Sequence, residues 1–376
     1  MRFDYYLPVN LIFGRGCAEK IGTEVSKYGK KVLIVTGRNS AKKSGLLDRS
    51  IDLLKAEGVN YTLFDKVQQN PLTTTAEEGA NVARTEGCDV ILALGGGSII
   101  DAAKGIAFLV KNRGDVNDYI LNKQIGTEAL PVIVVPTTCG TGSEGNRFAV
   151  LTNPETGDKK ALRCDAIYPK SSIIDSELMT TMPKGVLASV GFDSLCHNME
   201  SYLSNKGQPM TDMMALQGIE LSGKHLVNVY ENPDDMEGWE SISWASTLGG
   251  MTINIAGLTM PHGMEHPASG LKDIVHGKGL AALTPVIYEG EISYAPEKFA
   301  QISKRLGGRD ENDCVEVIRK LLERLKLNTT LSEQGIKKED IPWMVENCQK
   351  VGIANISNAP RKYTAEDIES IYRKAL

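Results

Sequence analysis

The chain has 376 residues, of which 41% are apolar and 24% charged, as in ordinary soluble globular proteins, and it has room for two domains with sizeable cores. A formal net charge of −5 without a polybasic run argues against a nucleic-acid surface, and no apolar run approaches the roughly 20 residues that span a bilayer. Its seven cysteines are odd in number, widely spaced and free of any CxxC pair, which suggests neither a disulfide framework nor a cysteine zinc site and fits a reducing compartment.

The opening MRFDYYLPVNLIFG lacks a basic segment followed by an apolar run and a cleavage site, so a cytoplasmic protein is expected. KKVLIVTG (30–37) reads as a strand, and SGLLDRSIDLLKAEG (44–58) as an amphipathic helix ending at Gly58. YTLFDKV (61–67) is a second strand, and TTTAEEGANVARTEG (73–87) a helix opened by threonine caps. DVILALG (89–95) and PVIVVPTT (131–138) are further strands. These runs are apolar without alternation, which predicts a parallel sheet covered on both faces by helices. The rhythm of strand and helix indicates an N-terminal doubly wound, Rossmann-like α/β domain over residues 1–177. Beyond about residue 175 strand-like runs become scarce, and helical patterns at 185–204, 211–230, 314–327 and 365–376 predict an all-α domain over 178–376. No linker separates the two, so a shared interface with a ligand-binding cleft is expected.

Three loops at strand ends carry candidate phosphate and ribose contacts. Gly95, Gly96, Gly97 and Ser98 stand between a buried strand and a helix, where glycines let backbone approach a pyrophosphate and the helix start offers free amides. The GxGxxG fingerprint itself is absent. PTTCGTGSE (136–144) is a second such loop, with the hydroxyls of Thr137, Thr138 and Thr141 among glycines. The loop after the first strand runs Gly37, Arg38, Asn39, Ser40 and then Lys42 and Lys43; it is basic where NAD enzymes often place an acid, which favours NADP over NAD.

Only five histidines occur, and four lie in two segments, GFDSLCHNMESY and MPHGMEHPASGLKDIVHGKG. Asp193 and His197 are four apart and share one helix face, so they can chelate one divalent ion, with His262, His266 and His276 available to complete the set. Nitrogen and oxygen donors without thiolate suit Zn²⁺ or Fe²⁺ and do not separate them. His225 is an ordinary helix residue.

The segments VNLIFGRGC, GGGSIIDAAK, PTTCGTGSE, DKKALRCDAIYP, GFDSLCHNMESY and HGMEHPASGLKDIVHGKGLA together resemble the iron-containing (group III) alcohol dehydrogenase family across essentially the whole chain. Within that family the 1,3-propanediol and butanol dehydrogenases look most similar. The resemblance implies metal ligation by Asp193, His197, His262 and His276, with His266 near the substrate and nicotinamide as the catalytic group. It also places Gly95, Gly96, Gly97, Ser98, Thr137, Thr138 and Thr141 against the cofactor, with Asn70 and Asp101 nearby and Lys160, next to Lys159, reaching it. The implied activity is hydride transfer between NAD(P) and a small primary alcohol or aldehyde, by a homodimer or larger assembly. The alternatives are a glycerol dehydrogenase-like or dehydroquinate synthase-like enzyme and a non-catalytic nucleotide-binding protein. Three departures from the family pattern stand out: Gly145, Asn146 and Arg147 after GTGSE, with Arg147 expected to influence specificity; Cys196 and Asn198 beside the ligands; and KDIVHG before the last ligand.

Overall fold

The computed structural model describes residues 2–376. Its first half begins with β1 (Asn10–Phe13) and α1 (Ile21–Ser26). It continues through β2 (Lys31–Gly37), α2 (Ser40–Lys43), α3 (Leu46–Ala56), β3 (Asn60–Val67), α4 (Thr73–Glu86), β4 (Val90–Gly95), α5 (Gly97–Lys111), α6 (Val116–Ile120) and β5 (Val132–Pro136). An antiparallel hairpin of β6 (Phe148–Thr152) and β7 (Lys159–Arg163) follows, and then β8 (Ser171–Ile174). The other strands form one six-stranded sheet, all parallel, in the order β1-β8-β5-β4-β2-β3.

Strand periodicity divides the core. Leu33, Val35, Ile91 and Ala93 pack with Ala76, Ala80 and Ile106 of α4 and α5, whereas their neighbours Val32, Ile34, Leu92 and Leu94 pack with Ile21, Leu47 and Leu54 of α1 and α3. The chain runs from β2 outward to β3 and then returns to β4 on the other side of β2. That reversal opens a crevice at the carboxyl ends of β2 and β4, the place where doubly wound sheets bind ligands. The sequence did not announce β1, β8 or the hairpin. β1 and β8 have four residues each, and Ser171 and Ser172 make β8 look polar; their hydroxyls are satisfied by Glu24 Oε2 and the Glu144 carbonyl, both at 2.7 Å.

The second half is helical: α7 (Lys184–Leu203), α8 (Pro209–Glu231), α9 (Met236–Ala256), α10 (Met260–Lys272), α11 (His276–Glu289), α12 (Pro296–Arg305), α13 (Cys314–Arg324), α14 (Ile341–Val351), α15 (Ile353–Asn358) and α16 (Ala365–Ala375). α7 is buried almost continuously from Leu187 to Leu203, so it is the central post rather than an amphipathic surface helix. None of the described helices is long and apolar enough to cross a membrane.

The halves touch backbone to backbone where α9 passes beneath the loop after β5. Gly142 there has φ +58°, and a Cβ on Gly250 would lie 1.8 Å from its carbonyl oxygen. Gly250→Ala is therefore expected to cost at least about 2 kcal/mol through forced separation of loop and helix. Urea unfolding measures this; an unchanged midpoint would show that the two backbones are not in contact.

Candidate functional site

One side-chain oxygen organises the helical half. Asp193 is 3% exposed, near the middle of α7, and its Oδ1 has no hydrogen-bond partner. The Nε2 atoms of His262, His197 and His276 lie 3.3, 3.5 and 3.6 Å from it. His197 comes from the next turn of α7, His262 from the first turn of α10, and His276 is the first residue of α11. α11 reaches Asp193 because Gly277 lies against α7: a Cβ there would sit 2.1 Å from the Ser189 carbonyl oxygen.

Each imidazole is held from behind. His197 Nδ1 faces the Gly140 carbonyl at 3.2 Å, His262 Nδ1 lies 2.5 Å from Glu200 Oε1, and His276 Nδ1 rests against Glu265 Oε2. Such contacts fix the tautomer and aim the remaining nitrogen inward. Glu200 does more, since its Oε2 accepts from the Thr259 backbone at 2.8 Å and so caps α10, whose Thr259 side chain makes no cap bond. The arrangement fits a divalent cation. Donors on a tetrahedral ion with bonds of about 2.1 Å are about 3.4 Å apart, and the inward atoms Asp193 Oδ1 and His262 Nε2 are otherwise buried without partners.

His266 lies one turn beyond His262 on α10 and is partly open to the cleft, its ring 5.7 Å from that of His276. The lysine beside this group is Lys159. It is 6% exposed; its Nζ donates to Asn70 Oδ1 at 3.0 Å and lies 3.9 Å from Glu265 Oε2. Lys160, the next residue of β7, is only partly buried and shares its surroundings with the charges of Arg163, Asp158 and Lys350. Asn70 (φ +48°) donates to Asp273 (φ +51°) at 2.6 Å across the two halves.

The crevice at β2 and β4 gathers the loop residues. α5 starts at Gly97 without a side-chain cap, leaving its first amides free. Gly95, Gly96, Gly97 and Ser98 abut the threonine loop: a Cβ on Gly96 would meet Thr138 Oγ1 at 2.7 Å, and one on Gly97 would meet Thr141 Oγ1 at 2.4 Å. Thr137 follows directly after β5, its amide bonded to the Gly95 carbonyl. Gly37 ends β2 and Ser40 starts α2 at the exposed rim. Lys42 there is paired with Asp65 at 2.6 Å, while Arg38 and Lys43 have no carboxylate partner among the described residues. Asp101 lies deeper, with one oxygen on Ser143 Oγ at 2.6 Å and the other on the Val150 amide at 3.0 Å. Arg147 turns away from the cleft and pairs with Asp165, its side chain 37% exposed, so the structure gives no support to a role in specificity. Cys196 and Asn198 are buried packing residues; Asn198 Nδ2 donates to the Ser194 and Ala245 carbonyls and ties α7 to α9.

Two protein-family models cover the chain. One, described as iron-containing alcohol dehydrogenase, matches residues 8–176, and the C-terminal model of the same family matches residues 187–376. The 1,3-propanediol dehydrogenase of Klebsiella pneumoniae is 34% identical over 99% of this chain and 98% of its own length. The NADH-dependent butanol dehydrogenase A of Clostridium acetobutylicum is 33% identical over 100% of both chains. Among solved structures, an archaeal halo-thermophilic alcohol dehydrogenase from a Red Sea brine pool superposes with a TM-score of 0.96 at 36% identity, covering 100% of this chain and 99% of that one.

The cluster is electrostatically asymmetric. Burial opposes charge on Asp193, but His197, His276 and His262 outweigh it and hold the carboxyl far below its usual range. Burial pushes His197 down to about 4. Burial also opposes charge on His262, yet Glu200 and Asp193 prevail and hold its imidazolium up to about 10, from an ordinary 6.5. A raised folded-state pKa contributes stability that is fully present below the unfolded value and is lost as pH rises through the folded one. In protein stripped of divalent ions, the urea midpoint is therefore expected to fall more steeply, or rise less, between pH 7 and 10 in wild type than in Glu200→Gln. An equal pH dependence in the two would mean that Glu200 does not hold a proton on His262.

Proposed function

The chain belongs to the iron-containing alcohol dehydrogenase family, and on that premise we propose that the carboxylate–imidazole cluster on α7, α10 and α11 is its metal seat and the β2/β4 crevice its dinucleotide groove. The enzyme is an oxidoreductase that moves hydride between a nicotinamide dinucleotide and an alcohol or aldehyde. Relatives named for 1,3-propanediol and butanol point to a small primary alcohol as substrate. The observation that carries the reading is the set of three Nε2 atoms facing one unpartnered buried oxygen of Asp193.

Asp193, His197, His262 and His276 would hold the ion, which supplies Lewis acidity to the substrate oxygen. The family implies iron; Zn²⁺ suits the same nitrogen and oxygen donors, and elemental analysis of the isolated protein decides between them. The amides opening α5, with Ser98, Thr138 and Thr141, would cradle the pyrophosphate and point the nicotinamide toward the cleft. Gly37, Ser40, Arg38 and Lys43 would receive the adenosine ribose, and the two unpaired cations favour NADP there, with NAD also accepted. Lys159 and Asn70 would line the approach to the reacting carbon. Burial and the nearby Lys159 charge hold His266 well below its usual pKa, so its neutral imidazole is available to take the alcohol proton and pass it toward solvent.

Replacing His276 with Ala is expected to remove both bound metal and alcohol oxidation, measured on the same preparation. Full metal content with unchanged turnover would refute the role given to that residue. His266→Ala is expected to keep its metal while turnover falls by roughly 10²–10⁴-fold and the pH profile changes. Loss of metal in that variant would make His266 a ligand instead. For the cofactor, Arg38→Ala combined with Lys43→Ala should raise KM for NADP roughly tenfold more than KM for NAD; equal effects on the two would dismiss the NADP preference.

A further inference from the structure

We infer that Glu265 is a positioning residue for His276, and that Glu265 with Lys159 forms a second anchor for the ion, paired with the Glu200–His262 contact on the opposite side. This rests on the metal seat proposed above. Glu265 stands one turn after His262 on α10, and its carboxylate is fully buried. A buried carboxylate needs compensating partners. Oε1 takes the Ser269 hydroxyl, while Oε2 rests against His276 Nδ1 and has Lys159 Nζ at 3.9 Å.

Packing locks that carboxylate in place. A Cβ on Gly279 would lie 2.8 Å from Glu265 Cγ, so the first turn of α11 sits directly on the glutamate stem. His276 is the ligand that most needs such a brace. Its side chain is 22% exposed, against 1% for His262 and 6% for His197, and it opens its helix immediately after exposed Asp273 and Val275. Charge balance gives Lys159 a part as well. A divalent ion facing the carboxylates of Asp193, Glu200 and Glu265 leaves one negative charge, which the buried ammonium offsets. The neutral sum favours a divalent over a trivalent occupant.

The test loads wild type, Glu265→Gln and Glu265→Ala with Co²⁺, then follows the visible ligand-field bands and the loss of metal to a chelator. Glu265→Gln preserves volume and removes only the charge, so it is expected to weaken Co²⁺ binding about tenfold and shift the bands. Glu265→Ala should weaken it up to about 100-fold. Glutamine decides alone if the alanine variant does not fold. Wild-type affinity and an unshifted spectrum in Glu265→Gln would overturn the positioning role, including the case in which only the thermal stability of the metal-free protein drops. Failure of wild type itself to take up Co²⁺ would instead overturn the metal seat.

Discussion

A carboxylate oxygen enclosed in protein and met by no donor is an expensive thing to fold around, and Asp193 Oδ1 is such an atom. Three imidazoles from three helices close on it, and buried glutamates stand behind two of them. α7 supplies the carboxylate, one imidazole and the glutamate behind a second. α10 and α11 supply the other two rings and the second glutamate. His197 and His262 are hydrogen-bonded at their far nitrogens and His276 Nδ1 lies against Glu265, so the three Nε2 atoms face the Asp193 oxygen together.

The sheet half meets this cluster through a stiff connector. Lys104 of α5 is completely buried, and its ammonium donates to the carbonyls of Ser143, Asn146 and Phe148 at 2.6, 2.9 and 2.9 Å. Burial lowers its pKa to about 8, opposed by Asp101 and Glu144. This ammonium holds the turn that follows the threonine loop, and the same loop offers the Gly140 carbonyl to His197. One short segment therefore touches both the crevice of the sheet and the back of a ring in the cluster. That is how the crevice of the sheet and the carboxylate–imidazole cluster come to be held at a fixed spacing.

The doubly wound half was legible because β2, β4 and β5 are long apolar runs without alternation, and the helices between them are amphipathic. The pair Asp193 and His197 was legible because four residues make one helical turn. Spacing could not rank His262 against His266, which also share a face; in the fold Glu200 meets both the Thr259 amide and His262 Nδ1, and it is His262 Nε2 that faces Asp193. Glu200 stands seven residues after Asp193 and three after His197, on the same helix face, so the spacing within α7 already places it beside the cluster. The short β6–β7 hairpin offers no alternation from which the sequence could assign Lys159 and Lys160 to faces; the fold buries Lys159 beside Glu265 and leaves Lys160 partly buried. Arg147 drew attention as an unusual charge beside a loop, but only the fold shows that its guanidinium leaves for Asp165.

The burial of α7 has a consequence for how such an enzyme can diversify. Asp193 and His197 occupy the same post that organises the surrounding helices, so a change in that segment disturbs the fold and the carboxylate–imidazole cluster together. Freedom to vary lies instead at the exposed rim that follows β2, where Arg38, Asn39, Ser40, Lys42 and Lys43 carry no share of the buried core.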